Sequence, residues 1–425
     1  MTARAFLFSL EQFGIKLGLD QIRGLLEALG RPDRAFPSIL IAGTNGKGSV
    51  TAMVERGLRA AGHRTGRYTS PHLVHLEERF AIDGEAIPAD RVDEVAERIQ
   101  AASRALPVPP SFFEATTALA LEAFRQQAVD VAVLEVGLGG RLDATNAVEP
   151  IAVAITAVDF DHETWLGSTI EAIAREKAGI IKPDVVTVLG RNPPEVEAIV
   201  AASCAAAGAP LVRAADVRVD DLGLTDGHAR VTVRTPVAEY AELTLSLAGR
   251  HQVANALVAI RLLEEISART PLRVPPTAVR TAVEAAVWPA RLERIHGHGI
   301  ELLIDGAHNP AGARALAAYV AEVYARPLPM VLGIMADKPV ETIVAALAPA
   351  ASHLACTAAN TPRAARPVDL AAIAARLWPD RPVARFDRPG DAVRHAAGFG
   401  SPVVVAGSLY LAGEVRAEFS STAAA

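Results

Sequence analysis

Ile39-Leu40-Ile41-Ala42-Gly43-Thr44-Asn45-Gly46-Lys47-Gly48-Ser49 decides how this chain is read, because there an apolar run enters a glycine-rich turn carrying one lysine and one serine. Glycines let successive backbone N–H groups converge on an anion, a lysine adds mobile positive charge, and a following helix presents its positive end. Ser49 is placed to set its hydroxyl on a phosphate-bound magnesium. The spacing departs from G-x-x-x-x-G-K-[ST], since Gly48 separates Lys47 from Ser49. Taken alone, the stretch is either a variant phosphate loop or a glycine turn with a solvated lysine.

The composition limits what surrounds it. A chain of 425 residues has room for two or three domains, each with its own core. Hydrophobic content of 51% with 21% charged residues describes a soluble globular protein and argues against long disorder. The net charge of −6 gives no global reason for nucleic-acid binding, so any anion site must be local. Cys204 and Cys356 lie far apart without C-x-x-C spacing, which argues against a disulfide framework or structural zinc. The apolar run over 5–10 is interrupted by Glu11 and Lys16 before any signal core develops, and no stretch reaches the roughly 18 apolar residues of a membrane span. The expectation is a cytoplasmic monomer acting on small molecules, with neither nucleic acid nor membrane as partner.

Outward from the loop, Val50, Met53, Val54 and Leu58 share one helical face that Gly62 ends. Upstream, Leu7, Leu10, Ile15 and Leu19, then Ile22, Leu25, Leu26 and Leu29, give helical spacing over 6–30, broken by Gly14 and Gly18. A strand over 65–68 runs into Thr69-Ser70-Pro71-His72-Leu73, which suits a substrate-facing rim or a surface turn. Residues 78–87 read as a hairpin around Asp83-Gly84, and 89–105 as an amphipathic helix. Ser111 and Glu114 have capping-box spacing, so Glu114 either caps a helix or serves as a carboxylate ligand for a hard cation.

The apolar run over 129–136 predicts a central parallel strand, and it opens into Gly137-Leu138-Gly139-Gly140-Arg141-Leu142-Asp143-Ala144-Thr145-Asn146. Polar residues beyond the carboxyl ends of such strands are where ligands collect. A second strand over 151–158 ends in Asp159-Phe160-Asp161-His162-Glu163, which makes His162 a candidate metal ligand. Lys177 sits just before Gly179 at the end of a helix over 169–178, where compensation of the helix dipole is its default role.

A strand over 185–189 and a helix over 194–207 continue the alternation. Residues 216–247 then read as antiparallel strands with turns at Asp220-Asp221 and Asp226-Gly227, followed by helices over 252–266 and 276–287. A fresh series of strands follows over 301–305, 329–334, 352–356, 382–386 and 402–406. The expected fold class is α/β: a P-loop-containing N-terminal α/β domain with a small antiparallel sheet over 1–288, a linker over 289–298, and a smaller Rossmann-like C-terminal α/β domain over 299–425. The second domain has no further phosphate cradle, but Asp305-Gly306-Ala307-His308-Asn309-Pro310 closes its first strand.

In order, GTNGKGS, TSPHL, FEATTALA, LEVGLGGRLDATN, DHETWLG, REKAGIIKP, HQVANA, PARLE, DGAHNP and GSLYL make a set that resembles the folylpolyglutamate synthase and dihydrofolate synthase family, a branch of the ATP-dependent amide ligases that includes the Mur ligases. The resemblance implies ATP phosphates on Gly43, Thr44, Asn45, Gly46, Lys47, Gly48 and Ser49, with Asn255, Arg291, Asp305 and His308 around the nucleotide. It implies two magnesium sites: Ser49, Glu114 and His162 at the first, and Lys177, matching a lysine carbamylated in many members, at the second. Thr69, Ser70, Pro71, His72, Arg141, Asp143 and Thr145 fall in loops expected near the pteridine substrate. The implied reaction joins L-glutamate to a folate, or to dihydropteroate, through an acyl phosphate, with Lys47, Lys177 and His308 in catalytic roles.

Two rivals are weighed. A Mur-type ligase acting on a UDP-muramyl precursor normally has a further domain before the phosphate loop, where about 40 residues stand here. A non-catalytic nucleotide-binding module would be expected to show N-K-x-D or L-S-G-G-Q, and the sequence has neither.

Overall fold

In the computed structural model, which describes residues 2–14 and 16–420, the apolar run before the glycines forms strand β1 (Ser38–Ala42). All five of its residues are buried, as befits a strand with parallel neighbours on both sides. Its sheet also contains β2 (Thr65–Tyr68), β3 (Phe80–Ile82), β4 (Glu85–Ala86), β5 (Val131–Glu135), β6 (Pro150–Ile155), β7 (Val186–Leu189) and β8 (Leu211–Arg213). The strand order is β4-β3-β2-β5-β1-β6-β7-β8. β3 and β4 are the antiparallel members, and they form the hairpin read at Asp83-Gly84.

Register brings the chemistry together. Ile41 lies opposite Glu135 on one side and Ala154 on the other, so the loops after β5, β1 and β6 open side by side at the carboxyl edge. Helix Phe112–Gln126 is almost wholly buried, and Leu119, Leu121 and Phe124 join Leu40, Leu134 and Val153 in one core. The N-terminal periodicity breaks into helix Ala3–Ser9, a 3-10 turn over Leu10–Phe13 and helix Asp20–Ala28, with Gly14 at φ 62° where the chain turns away. Ile15, read as part of that face, lies outside the described residues.

A three-stranded antiparallel sheet follows: β9 (Arg218–Thr225), β10 (His228–Arg234) and β11 (Glu239–Thr244), in the order β11-β10-β9. The turn expected at Asp220-Asp221 does not form, and β9 runs straight through it. Arg218 and Arg234 both reach the Asp220 carboxylate, so the acidic pair is accommodated in an extended strand. The Asp226-Gly227 turn does form, with φ of 50° and 82°, the two positive values of a tight hairpin turn.

The last sheet consists of β12 (Glu293–Gly297), β13 (Ile300–Ile304), β14 (Leu328–Leu332), β15 (Ala351–Cys356), β16 (Val383–Arg385) and β17 (Val403–Ala406), ordered β12-β13-β17-β14-β15-β16. All its pairings are parallel except β12 with β13. The stretch expected as linker therefore contains a strand. His298-Gly299, both at positive φ, turns β12 back on β13, and Arg294 donates to Glu301 across the pair at 2.7 Å. One compact unit takes in the chain up to Leu222 with Arg230–Ser246 and Gln252–Val287; the other takes in Gly223–Ala229, Leu247–His251 and the chain from Trp288 on. Among the described residues no helix is long and apolar enough to cross a membrane.

Candidate active site

Strand β1 delivers the chain into a turn that only glycine permits at two points. A Cβ on Gly43 would lie 1.9 Å from Thr156 Oγ1, and one on Gly46, at φ 89°, would lie 2.2 Å from Asn255 Oδ1. Helix Lys47–Ala60 begins immediately afterwards with Gly46 as its N-cap. The N–H groups of Thr44 and Asn45 donate to Ala157 O at 2.7 and 3.2 Å, and Thr44 Oγ1 donates to Asp159 O at 2.9 Å. Those two residues build the loop. The N–H groups left for an anion are those of the first helical turn, from Lys47 on, which have no acceptor within the helix. Lys47 Nζ folds over the turn, donating to the carbonyls of Gly43 at 3.1 Å and Thr44 at 3.2 Å.

Helix His251–Arg269 covers this turn. Asn255 Nδ2 donates to Gln252 Oε1 at 2.8 Å, and Gln252 Nε2 donates to Ser49 Oγ at 3.3 Å. Asn255 was expected at the nucleotide. Gln252, in the HQVANA stretch, fixes the serine hydroxyl, a role that a glutamine's spacing in a helix does not signal.

Below the loop, Lys177 is buried and its Nζ donates to Gly43 O at 2.8 Å. Burial, and then the charge of Lys47, bring its pKa down to about 7 against the opposing pull of Asp161 and Asp143. His162 takes a left-handed φ of 54°, begins the short helix Glu163–Leu166 and keeps its ring partly exposed, with its N–H donating to Asp161 Oδ1 at 2.9 Å. Glu114 forms the capping box: its Oε2 accepts from Ser111 N–H at 2.7 Å and Ser111 Oγ at 2.8 Å. Glu135, given no separate role within LEVGLGGRLDATN, is a second acidic residue on this edge. It ends β5 directly beside β1, is buried, and accepts Ser70 N–H on Oε2 at 3.3 Å. An acidic residue closing an apolar strand is the signal that could have found it. Among the described residues no three His, Cys, Asp or Glu side chains converge as a metal centre; the expected ligands also include the Ser49 hydroxyl and Lys177.

The 69–73 segment lies on the same edge. Thr69 N–H donates to Arg79 O at 3.1 Å, and Ser70-Pro71 is cis. Arg79 Nε donates to His72 Nδ1 at 2.8 Å, so the ring proton sits on Nε2, and burial followed by the Arg79 charge brings the His72 pKa down to about 4. Arg79, also missed in the sequence, is buried with its guanidinium 5.2 Å from the Phe112 ring centroid. In the 137–146 loop the side chains are turned to internal use. Asp143 Oδ1 accepts from Thr145 N–H at 3.0 Å and Thr145 Oγ1 at 2.6 Å, Oδ2 accepts Leu138 N–H at 2.8 Å, and Arg141 pairs with Glu176 at 2.8 Å.

In the other unit, Asp305 holds the strand-end loop by accepting Leu292 N–H at 2.9 Å and Ala307 N–H at 2.8 Å. Arg291 Nη1 donates to Ala290 O at 2.9 Å. His308 Nδ1 donates to Gly306 O at 2.7 Å, since a carbonyl can only accept. Asn309 and Ser408 cap helices Pro310–Tyr324 and Leu409–Phe419.

A glycine cradle that a Cβ would fill, unpaired helix-end amides and a lysine folded over them fit the phosphate tail of a nucleotide and define a phosphate-loop nucleotide-dependent enzyme. Residues 108–263 match the Mur ligase middle domain, and 290–409 match the Mur ligase glutamate ligase domain. The chain is 35% identical to folylpolyglutamate synthase of Lacticaseibacillus casei over 93% of each chain, and 40% identical to dihydrofolate synthase/folylpolyglutamate synthase of Mycobacterium tuberculosis over 85% of this chain and 79% of that one. It superposes on M. tuberculosis folylpolyglutamate synthase complexed with ADP and AMPPCP at a TM-score of 0.90, with 36% identity over 98% of this chain and 99% of the other. Escherichia coli FolC in complex with DHPP and ADP (TM-score 0.87, 29% identity, 98% and 97% covered) and a bifunctional folylpolyglutamate synthase/dihydrofolate synthase with Mn, AMPPNP and L-glutamate bound (0.85, 31%, 98% and 98%) are similar as well. The chain belongs to the folylpolyglutamate synthase/dihydrofolate synthase family of Mur-type ligases, and it is an ATP-dependent ligase.

Proposed function

We propose that this chain adds L-glutamate to reduced folates and also to dihydropteroate, using one site for both. The observation that carries the reading is the phosphate cradle at Gly43–Ser49 with Lys47 across it and Lys177 buried beneath it, within a chain that matches the family almost end to end. Similar chains bearing DHPP, L-glutamate, Mn and nucleotides support the dihydropteroate acceptor, the glutamate and the nucleotide, and relatives named folylpolyglutamate synthase support the folate acceptor.

A carboxylate is a poor acyl donor. In the proposed reaction its oxygen bonds to the γ-phosphorus of ATP while the β–γ bridging oxygen leaves with ADP, giving an acyl phosphate. Lys47 and the first-turn amides offset the charge on the transferring group. The glutamate amine then attacks the carbonyl carbon, the C–O bond to phosphate breaks, and the amine proton passes to a base. His308, whose Nδ1 is held by Gly306 O, is proposed as that base.

Two magnesium sites are part of the proposal. Ser49, Glu135 and His162 would hold one, with Glu114 kept to its capping role, and Lys177 would serve the other. Bound magnesium would supply charge neutralisation and alignment of the phosphates. Lys177 becomes an oxygen ligand once its amine adds carbon dioxide and loses a proton, and its lowered pKa leaves neutral amine for that addition near pH 7. His72 Nε2–H and the Ser70-Pro71 turn face the pterin in this reading. The protein is proposed to act as a cytoplasmic monomer.

The test is ADP release measured with L-glutamate plus tetrahydrofolate or dihydropteroate separately. Glutamate-dependent turnover with both is expected. Turnover with one alone removes the bifunctional part, and none with either refutes the folate assignment.

A further inference from the structure

Helix Ile170–Ala178 carries Lys177 on its last turn and stops at Gly179. The last carbonyls of a helix have no donor within it, and the last turn is where helices fray. Lys177 is therefore in a demanding place, because a buried amine gains hydration by swinging out and its Nζ must instead stay 2.8 Å from Gly43 O.

Gly179, Ile180 and Ile181 N–H reach the carbonyls of Glu176, Lys177 and Ala178 at 3.3, 3.4 and 3.0 Å, and the loop after β5 adds shorter or further donors from outside the helix. Arg141 N–H donates to Glu176 O at 2.8 Å, and Asn146 Nδ2 donates to Gly179 O at 3.1 Å while also holding Arg141 O at 3.0 Å. The Arg141 guanidinium adds a two-pronged contact to one Glu176 carboxylate oxygen, at 3.1 and 2.8 Å. The approach is close enough to require glycine on both sides: a Cβ on Gly140 would lie 2.8 Å from Glu176 O and 3.0 Å from Lys177 O, and one on Gly179 would lie 2.3 Å from Arg141 Cβ. Asp143 and Thr145 brace the loop from within, so it meets the helix as a preformed surface.

We infer that the 137–146 loop is a clamp on the Lys177 helix, with Asn146 and Arg141 as positioning residues that keep Lys177 under the phosphate loop. The clamp rests on geometry alone; its catalytic consequence rests on the proposed function of Lys177. The exposed Arg141–Glu176 pair contributes little by itself. The buried amide of Asn146 and the backbone bonds do most of the holding.

The test uses full-length Asn146→Ala and Arg141→Ala, the latter at an exposed site that leaves folding intact. Each protein is treated with an N-hydroxysuccinimide ester in bicarbonate-free buffer, and Lys177 labelling is followed against Lys338 by peptide mass, alongside kcat and KM. In Asn146→Ala, Lys177 labelling is expected to rise several-fold with Lys338 unchanged, kcat to fall about 10–100-fold, and the KM for the folate substrate to stay as in wild type. Arg141→Ala should move the same readouts in the same direction by less. Unchanged Lys177 labelling in both variants overturns the clamp, and a raised folate KM with wild-type labelling and kcat makes these residues substrate contacts instead. Should the wild-type chain show no ligase turnover, the labelling still decides the clamp while the proposed function falls separately.

Discussion

Lys177 Nζ donates to the Gly43 carbonyl at 2.8 Å, the same oxygen that Lys47 Nζ reaches at 3.1 Å. Two lysines converge on one acceptor at the entrance to the phosphate loop, one folded over it and one buried below. Their mutual repulsion adds to the burial that holds the Lys177 pKa near 7, so the arrangement stores an unfavourable charge until an anion arrives or the Lys177 charge is lost.

Lys177→Met should therefore be more stable than wild type and catalytically dead. The expected gain at pH 7 is about 1–3 kcal/mol, less than the full pKa shift because a hydrogen bond is lost as well. The folded pKa of about 7 lies below the ordinary 10.5, so the unfolded chain binds more protons between those values and wild type gains stability as pH rises through that window. The gap between the two proteins should narrow from pH 7 to 9.5 in urea titrations. A variant less stable than wild type at pH 7 would refute the account of Lys177.

Gly46→Ala places a Cβ 2.2 Å from Asn255 Oδ1 at a φ of 89°. Strain and displacement of Asn255 should together cost about 1–3 kcal/mol, appearing as a lower Tm and a weaker Kd for ADP by calorimetry. Wild-type ADP affinity in this variant would mean that the turn is not the phosphate cradle.

His72 is neutral down to about pH 4, under Arg79 with Glu77, Glu78 and His75 as the other charged groups around it. Its folded pKa is below the ordinary 6.5, so its contribution to stability is fully present above pH 6.5 and is lost as pH falls toward 4. Arg79→Met removes a positive neighbour, and the His72 ring should then titrate at higher pH, visible by NMR, with kcat/KM for the folate substrate gaining a new acidic limb. An unchanged His72 titration would sink this assignment.

Glu135 and Glu114 can be separated experimentally. Glu135→Gln should reduce kcat by about 100-fold or more and raise the magnesium concentration needed for half-maximal rate. Glu114→Gln should chiefly weaken the helix cap, costing about 0.5–2 kcal/mol of stability with the magnesium requirement unchanged. The opposite pattern would return the metal to Glu114.

The phosphate loop was legible in the sequence because its signal is local: an apolar strand, glycines, a lysine and the start of a helix, all within 39–49. Both parallel sheets were legible for the same reason, since buried strands read as apolar runs. Glu135 was not, because an acidic residue at the end of such a run gains meaning only from lying opposite Ile41. Asp220-Asp221 looked like a turn, and it is the cross-strand Arg234 that keeps it extended. The short edge strand β12 hid behind Pro289 and offered too few residues to show alternation. The packing of Arg79 on Phe112, the Gln252 bond to Ser49 and the clamp role of Asn146 arise from contacts between distant segments, where neither spacing nor composition leaves a trace.

The most direct test of the central claim, that this chain activates a folate carboxylate as an acyl phosphate and passes it to glutamate, follows one oxygen. Tetrahydrofolate or dihydropteroate labelled with 18O in the reacting carboxylate is incubated with ATP, magnesium, L-glutamate and the protein, and the released phosphate is analysed by mass spectrometry. One 18O atom per phosphate, formed in step with the glutamyl amide, is the predicted result. Phosphate free of 18O while ADP accumulates would show ATP hydrolysis without carboxylate activation and would contradict the account.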